Sequence, residues 1–283
     1  MKKILLIFTV AALAVCCNEQ NSTAKKTDWD KYGLKGKVKS MREISYDAEE
    51  KFEELNKGKI MLNRLIQYDG RGNITEYNEY DSDGNVYTKK IYKYDDRGNI
   101  TECKKYDSDG NLDKKTVRKY DDRGNMTEEN DYYSDGNIYA KKTYKYDDRG
   151  NMTGENGYGS DGRLSWIDIY KYDDSGNITE LKAYYSSAKL GMKITYKYDG
   201  NRNITEYNKY DSDDSLDIKG ILKYDGSGNM TEISLYNSDG RLEEKHTYKY
   251  KYDNKGSWTE KIAYKGEVNI AEEIIEREIE YYE

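Results

Sequence analysis

The chain has 283 residues with 54 acidic and 47 basic side chains, and its formal charge is −7. This acidic balance provides no basic field for nucleic acid, and the single histidine, His246, lacks the partners that a zinc site or a histidine-based triad needs. Phenylalanine occurs only twice, but there are 32 tyrosines, each of which can bury roughly 150–250 Å². Tyrosine is therefore expected to replace the missing aliphatic residues in the core.

The first segment of the chain has the pattern of an export signal. Two lysines precede an apolar run of about a dozen residues, which is too short to span the ~30 Å hydrocarbon core of a bilayer. Leu13-Ala14-Val15-Cys16 resembles a bacterial lipoprotein signal, so we predict lipidation at Cys16, with Cys17 as the alternative. We expect residues 1–17 to be the signal and residues 18–27 a flexible tether. An ordinary signal with an incidental cysteine pair is the other possibility.

A 26-residue repeat occupies residues 68–257. A Tyr-Asp or closely related pair opens each copy, and a second tyrosine follows 12 residues later. The first series begins at Tyr68, Tyr94, Tyr120, Tyr146, Tyr172, Tyr198 and Tyr224, and the second contains Tyr80, Tyr106, Tyr132, Tyr158, Tyr184, Tyr210 and Tyr236. Each repeat therefore consists of half-repeats of 12 and 14 residues.

Each half-repeat has the pattern of a strand followed by a tight turn. The segment Asp95-Asp96-Arg97-Gly98-Asn99 fits a type I turn followed by a left-handed residue, because Asp caps the turn and Gly adopts positive φ without strain. Such closely spaced turns leave no room for crossover helices, so neighbouring strands must be antiparallel. We predict an all-β fold, in which tandem 26-residue repeats of two antiparallel strands form an extended or coiled single-layer β-meander. The predicted turn glycines include Gly72, Gly84, Gly98, Gly110, Gly124, Gly136, Gly150 and Gly162.

Comparison of the copies predicts which face of the sheet is buried. The residue after the first turn is Ile or Met, and the sixth residue after it is tyrosine in the copies at Tyr80, Tyr106 and Tyr132. An even separation places both residues on one face, so we predict a buried face that carries Tyr80, Tyr94, Tyr106, Tyr120, Tyr132 and Tyr146. The position three after the Ile or Met varies, from Tyr77 to Cys103 to Glu129. This tolerance predicts a more exposed face, on which Cys103 is an ordinary substitution.

The flanks resemble degenerate copies of the repeat. We expect residues 28–67 to form capping strands around a connection at residues 47–58 with a turn or two of helix, and residues 258–283 to form a closing hairpin. The spacing of Ile275 and Ile279 also permits a helix. Charged residues should protect the unpaired edges of these terminal strands.

Three turns lack the expected glycine. Ala188, Arg202 and Asp214 stand at the left-handed positions, where only Gly is free of strain. We therefore predict that residues 185–215 are the most irregular stretch of the sheet.

The segment Tyr-Asp-Asp-Arg-Gly-Asn-Ile-Thr-Glu at residues 94–102 resembles the YD repeat of RHS and wall-associated proteins, and the resemblance extends over about residues 60–257. Residues 32–40 are similar to the start of short RHS-like lipoproteins of unknown function. The resemblance implies a β-sheet built from these repeats, which in long RHS proteins wind into a shell around a toxin domain. This chain is too short for a sealed shell, so the resemblance supports the fold rather than a toxin function.

The acidic turns leave a minor calcium alternative. Asp81-Ser82-Asp83-Gly84-Asn85 offers several oxygen atoms, as Ca²⁺ requires, but turn chemistry explains the pattern without a metal. Most acids recur at the same place in each copy, so we predict no catalytic residues, no cofactor and no metal. We expect a non-catalytic binding or adhesion scaffold for a protein or glycan, lipid-anchored in the bacterial cell envelope. A structural or protective partner related to RHS toxin shells is the alternative.

Overall fold

The computed structural model describes residues 27–51, 54–268 and 270–283. The predicted signal, with Cys16 and Cys17, and the tether up to residue 26 lie outside these residues. The described part contains one short helix and eighteen strands of one antiparallel sheet, which confirms the predicted all-β meander. The elements are α1 (Asp28–Lys31), β1 (Val38–Lys51), β2 (Glu54–Tyr68), β3 (Ile74–Tyr80), β4 (Val86–Tyr94), β5 (Ile100–Tyr106), β6 (Leu112–Tyr120), β7 (Met126–Tyr133), β8 (Ile138–Tyr146), β9 (Met152–Gly159), β10 (Leu164–Tyr172), β11 (Ile178–Tyr185), β12 (Leu190–Tyr198), β13 (Ile204–Tyr210), β14 (Leu216–Tyr224), β15 (Met230–Asn237), β16 (Leu242–Tyr252), β17 (Trp258–Lys265) and β18 (Ile270–Tyr281).

The described residues form two compact units. The terminal unit contains Thr27–Lys142, Gly159–Gly162 and Glu244–Glu283. The central unit contains Thr143–Tyr158 and Arg163–Glu243.

The tight turns are closed by the aspartate that opens them. The N–H of Gly98 donates to the carbonyl of Asp95 at 3.0 Å, and the N–H of Asp95 donates to the carbonyl of Asn99 at 2.9 Å. The Asp95 carboxylate accepts the N–H groups of Arg97 and Asn99 at 3.0 and 2.8 Å. The eight glycines named above all have φ between +73° and +88°, so each supplies the left-handed residue that its turn requires.

The prediction of an irregular stretch at residues 185–215 is wrong. Ala188, Arg202 and Asp214 adopt φ of 59°, 66° and 64°, and their N–H groups make the usual turn hydrogen bond at 2.9, 3.1 and 3.2 Å. The strands on either side keep the lengths found elsewhere. The left-handed conformation costs a non-glycine residue only about 1–2 kcal/mol, which the turn hydrogen bonds and the strand pairing offset.

A β-bulge after each turn reverses the predicted assignment of faces. Tyr68 pairs with Ile74, but Gln67 pairs with Glu76, so Thr75 is an extra residue in β3. The bulge shifts the alternation by one residue, and Ile74 therefore shares a face with Tyr77 instead of Tyr80. We call the side of the sheet that carries Tyr77 and its equivalents the variable face, and the opposite side the repeated face.

The predicted buried face is consequently wrong. The two tyrosine series lie on opposite sides of the sheet, Tyr80 and Tyr106 on the repeated face and Tyr94 and Tyr120 on the variable face. All six named tyrosines, Tyr80, Tyr94, Tyr106, Tyr120, Tyr132 and Tyr146, are only half-buried. The position predicted to be more exposed instead holds buried side chains in several copies, including Tyr77, Leu181, Tyr207 and Ile233.

The repeated face is lined by cross-strand ion pairs. Lys93 lies 2.9 Å from Glu102, and Lys119 lies 2.8 Å from Glu128. The same pair occurs in four further copies as Lys171–Glu180, Lys197–Glu206, Lys223–Glu232 and Lys251–Glu260. The lysines are 63–72% exposed, so each pair contributes at most about 1 kcal/mol. The pair is missing where Gly154 replaces the glutamate and where Gln67 replaces the lysine.

The tyrosine that opens a repeat binds the repeat before it. The Tyr94 hydroxyl donates to the carbonyl of Ile74 at 2.8 Å, and the Tyr120 hydroxyl donates to the carbonyl of Ile100 at 2.8 Å. In the central unit, Tyr172 and Tyr198 make the same bond to Met152 and Ile178, also at 2.8 Å. Each carbonyl belongs to a residue at a bulge, so the hydroxyl supplies a donor where the strand ladder is interrupted.

In the terminal unit, the first and last strands pair with each other. β1 pairs with β2 on one side and with β18 on the other. Its residues between Ser40 and Asp47 are therefore not at an edge of the sheet, and the charged edge predicted for the terminal strands is not needed there. The connection predicted at residues 47–58 is largely strand, because β1 extends to Lys51 and β2 begins at Glu54. Ile275 and Ile279 both lie in β18, which settles that segment as a strand.

The core of the terminal unit combines an apolar cluster with buried ion pairs. The cluster contains Leu34, Val38, Met41, Ile66, Tyr68, Ile74 and Tyr77. Glu43 of β1 lies directly opposite Arg64 of β2 and Arg277 of β18 and binds both guanidinium groups, with 2.8 Å to Nε of Arg277. Breaking such a buried pair costs about 3–5 kcal/mol, so Glu43 is expected to be essential for the pairing of β2, β1 and β18.

The central unit has an apolar variable face. Tyr207 is fully buried and lies between Tyr196 and Gly220 in the strand register. A Cβ on Gly220 would lie 2.1 Å from the Tyr207 ring, and a Cβ on Gly157 would lie 2.1 Å from the Trp166 ring opposite it. Both glycines therefore make room for an aromatic ring to lie on the neighbouring strand.

Candidate functional site

The variable face of the terminal unit contains an open pocket between β4, β5 and β6. Its volume is approximately 220 Å³, and it is lined by Lys90, Tyr92, Cys103, Lys105, Lys114, Thr116 and Arg118. Four of these seven side chains are cationic. The lining is therefore rich in cationic side chains, although the whole chain is acidic.

Three lysines form a row across the strands at one end of the pocket. Lys90 lies opposite Lys105, and Lys105 lies opposite Lys114. Directly opposed residues of antiparallel strands have Cβ atoms about 4.5–5.5 Å apart, and like charges in such positions destabilise a sheet. The lysine row thus places three like charges side by side on the variable face.

Only the middle lysine of the row is bound by a carboxylate among the described residues. The Lys105 ammonium lies 2.7 Å from the carboxylate of Asp113. The Lys90 ammonium lies 4.7 Å from the centre of the Tyr77 ring, and the Lys114 ammonium lies 4.8 Å from the centre of the Tyr139 ring. The outer two lysines are therefore stabilised by aromatic faces and retain N–H donors for a ligand.

A second row of the pocket consists of Tyr92, Cys103 and Thr116, which lie opposite one another. Burial raises the pKa of the Cys103 thiol and the pKa of the Tyr92 hydroxyl. Cys103 is half-buried on the variable face, which corrects its predicted place on an exposed surface. The direction of this shift is opposite to that of a reactive cysteine, whose thiol pKa is lowered.

The charged side chains next to these two rows already form ion pairs with one another. The Arg118 guanidinium lies 2.7 Å from the carboxylate of Glu129, and Lys142 approaches the same carboxylate at 3.3 Å. The Thr116 hydroxyl donates to Asp131 at 2.6 Å. Burial opposes the charge on Arg118, but Glu129 raises the pKa of the guanidinium. The Arg118 guanidinium is therefore permanently charged, and Glu129 already neutralises this charge.

An aromatic pair stands beside the last lysine of the row. Tyr133 lies opposite Lys114 and is 51% exposed. Its ring centre is 4.8 Å from that of Tyr139, with an angle of 38° between the ring planes. The rings and the lysine row together form a surface that is aromatic at one end and cationic at the other.

The aspartate carboxylates of the acidic turns accept hydrogen bonds from backbone N–H groups of the same turn. Asp81 accepts the N–H groups of Asp83 and Asn85 at 2.9 and 2.8 Å, and the hydrogen bond from Asn85 lowers the pKa of Asp81. Over residues 27–51, 54–268 and 270–283, no three His, Cys, Asp or Glu side chains are grouped so that they could hold a metal ion. No helix in these ranges has the length and apolar character needed to cross a membrane.

Sequence reasoning missed this pocket because it treated variation between copies as a sign of exposure. A signal was nevertheless present. Lys-Lys pairs occur at residues 89–90, 104–105 and 114–115, in three successive strands. With the bulges placed correctly, one lysine of each pair falls on the variable face, and the three fall side by side.

Comparisons with known proteins give no family for this chain. No known family and no curated protein matches it. Among solved structures, a porin-like protein from Bacteroides uniformis ATCC 8492 is similar with 13% identity and a TM-score of 0.45, covering 86% of this chain and 96% of that one. A porin-like protein from Bacteroides vulgatus ATCC 8482 has 13% identity and a TM-score of 0.32, covering 87% and 98%.

A toxin structure is also among the similar ones. TcdB2-TccC3 without its hypervariable C-terminal region has 12% identity and a TM-score of 0.29, over 76% of this chain. This chain spans 15% of the length of that protein. At such TM-scores, none of the three supports a conclusion about function.

Proposed function

We propose that this chain is an exported, lipid-anchored β-repeat protein of the bacterial cell envelope, and that it binds a protein or glycan without catalysis. The observation that carries the proposal is the open pocket of approximately 220 Å³ on the variable face of the terminal unit. The repeated residues are accounted for by turns, Lys–Glu pairs and tyrosine–carbonyl bonds. The pocket residues are not part of that framework, as in repeat proteins whose constant frame presents changing side chains to a ligand.

The chemistry of the pocket supports binding rather than catalysis. Its one nucleophile candidate, Cys103, has a raised pKa because of burial, which disfavours the thiolate. Three acids contact residues of the pocket, and each is engaged: Asp113 by Lys105 and Glu129 by Arg118 at 2.7 Å each, and Asp131 by the Thr116 hydroxyl at 2.6 Å. We expect purified protein to show no thiol-dependent turnover, and the Cys103→Ser variant to bind ligand as the wild type does.

The anchoring part of the proposal has its own test. Cells expressing the wild type, Cys16→Ser and Cys17→Ser are labelled with an alkyne fatty acid, and the purified protein is examined for label. Label in the wild type that is lost only in Cys16→Ser supports lipidation at Cys16. Loss only in Cys17→Ser assigns the anchor to the second cysteine, and an unlabelled wild type excludes a lipid anchor.

The binding part is tested with an array of neutral and acidic glycans and of envelope and host proteins. The mature chain is applied with calcium and, separately, with chelator. A specific, saturable hit supports the proposal, and its loss in chelator favours the calcium alternative at the acidic turns. If the chain bound none of the targets, the proposed binding function would be contradicted and the structural-partner alternative would be favoured.

A further inference from the structure

We propose that the pocket of the terminal unit binds a sulfate or phosphate ester carried by a sugar, with the oxyanion on the lysine row and the sugar ring on the Tyr133–Tyr139 pair. This inference rests on the proposed binding function and specifies the class of ligand. It depends on three features, namely the two outer lysines that no carboxylate of the described residues binds, the geometry of the cations and the aromatic pair beside them.

The charge of the lysine row calls for an anion. Lys90, Lys105 and Lys114 stand directly opposite one another on adjacent strands, an arrangement that destabilises a sheet. Opposed lysines also occur on the repeated face, where Lys104 lies opposite Lys115, but there Glu102 lies 3.9 Å from Lys104. On the variable face, no carboxylate of the described residues binds Lys90 or Lys114. A cluster of like charges in which two members have no carboxylate partner conflicts with local stability, and such conflicts are expected at functional sites.

The arrangement of donors favours a tetrahedral oxyanion over a carboxylate. Planar bidentate recognition of a carboxylate is the usual role of arginine, and the only arginine of the pocket, Arg118, is already bound by Glu129 at 2.7 Å. The lysines instead offer compact ammonium groups on flexible stems, which can converge on three oxygens of one group. The volume of approximately 220 Å³ is below the ~300–1,000 Å³ of pockets that enclose a drug-sized molecule. The pocket therefore suits one charged group, with the rest of the ligand outside.

The aromatic pair identifies what carries the oxyanion. Tyr133 is opposite Lys114 and 51% exposed, and the Tyr139 ring lies 4.8 Å from the Lys114 ammonium. Tyrosine rings present a flat apolar surface with a polar edge, which fits the apolar face and hydroxyl rim of a sugar ring. A ligand whose ester group reaches Lys114 would place its ring over this pair.

The test measures binding by calorimetry with glucose 6-sulfate, glucose 6-phosphate, inorganic phosphate and glucose. The wild type is compared with Lys90→Gln/Lys114→Gln, with Tyr133→Ala, and with the control Lys93→Gln/Lys119→Gln. The control removes the same two charges from the repeated face. Far-UV circular dichroism confirms the fold of each variant, and the preferred glucose ester distinguishes sulfate from phosphate as the source.

We expect the wild type to bind one glucose ester at least tenfold more tightly than glucose, and the affinity to fall as salt is raised. Lys90→Gln/Lys114→Gln should lose at least tenfold in affinity, and the control less than twofold. Tyr133→Ala should weaken the sugar ester severalfold but leave inorganic phosphate unchanged. The inference is overturned if the wild type binds neither ester, or if both double variants lose affinity equally. In that case, binding of a protein or neutral glycan on the array would still support the proposed function. If the array also showed no binding, the proposed function would be contradicted by that separate result.

Discussion

The three turns without glycine provide a direct measure of backbone strain in this repeat. Ala188 has φ 59° at a position where Gly84 and Gly110 have φ 84° and 79°. A non-glycine residue in this region costs about 1–2 kcal/mol. Glycine removes that strain, but its larger conformational entropy stabilises the unfolded chain by about 0.4–1 kcal/mol. Ala188→Gly should therefore stabilise the protein by about 0.5–1 kcal/mol.

The reverse substitution supplies a matched control. Gly84 has φ +84°, and a Cβ at that position would meet nothing within 4 Å, so Gly84→Ala tests the backbone alone. It should destabilise the protein by a similar amount, about 0.5–1 kcal/mol. Asp214→Gly should gain less than Ala188→Gly, because aspartate tolerates the left-handed region better than alanine does.

Urea unfolding of the mature chain, followed by far-UV circular dichroism, measures these differences as shifts of the midpoint at constant slope. A rise for Ala188→Gly and a fall for Gly84→Ala are expected. If Ala188→Gly left the midpoint unchanged while Gly84→Ala lowered it, the strain at Ala188 would have been misjudged. If neither variant moved the midpoint, backbone strain at the turns would contribute nothing to stability.

Three further outcomes are expected from other parts of the fold. Tyr120→Phe should lower the free energy of unfolding by about 1 kcal/mol, because the carbonyl of Ile100 loses its hydrogen-bond donor. Tyr207→Phe should leave this free energy unchanged or raise it, because the buried Tyr207 hydroxyl has no partner in the described residues. Gly220→Ala should cost about 1–3 kcal/mol, since its Cβ would lie 2.1 Å from the Tyr207 ring. Hydrogen bonds from two lysines lower the pKa of Glu206 to about 2, so its stabilising charge is complete above the ordinary glutamate pKa and is lost as the pH falls toward 2.

The measurements and controls for these outcomes are simple. Urea midpoints report the tyrosine and glycine variants, and Gly154→Ala is the control for Gly220→Ala because its Cβ would lie 3.6 Å from the nearest atom. Equal losses for Tyr120→Phe and Tyr207→Phe would contradict the role given to the hydroxyl–carbonyl bond. Carboxyl NMR titration follows Glu206, and its pKa should rise in Lys197→Gln. A Glu206 that titrates like an ordinary glutamate would contradict the ion pairs.

The absence of an irregular stretch at Ala188, Arg202 and Asp214 shows how far tertiary context overrides a local preference. Each residue pays a cost of about 1–2 kcal/mol, while the strands that flank it are paired along their length. The turn conformation is therefore imposed by the two strands it connects. Glycine lowers the cost of the turn but is not needed to form it.

The sequence by itself determined the elements and their order. The 26-residue spacing, the Asp-Gly turns and the shortness of the connections allow only antiparallel neighbours. The strands observed from β3 to β15 begin and end where the turn residues place them. The Asp-Gly pattern also predicted that aspartate caps the turns, and Asp81 accepts the N–H groups of Asp83 and Asn85.

Only the tertiary structure decided the two faces and therefore the site. One bulge residue per turn, such as Thr75, inverts the alternation of every strand that follows, and a periodicity argument that omits it assigns Tyr77 and Cys103 to the wrong side. The variable face combines a constant position, that of Tyr94 and its equivalents, with the position of Tyr77, whose side chain and neighbours differ from copy to copy. That is why Tyr207 is in an apolar core and Cys103 in a basic pocket, although both occupy the same position of the repeat.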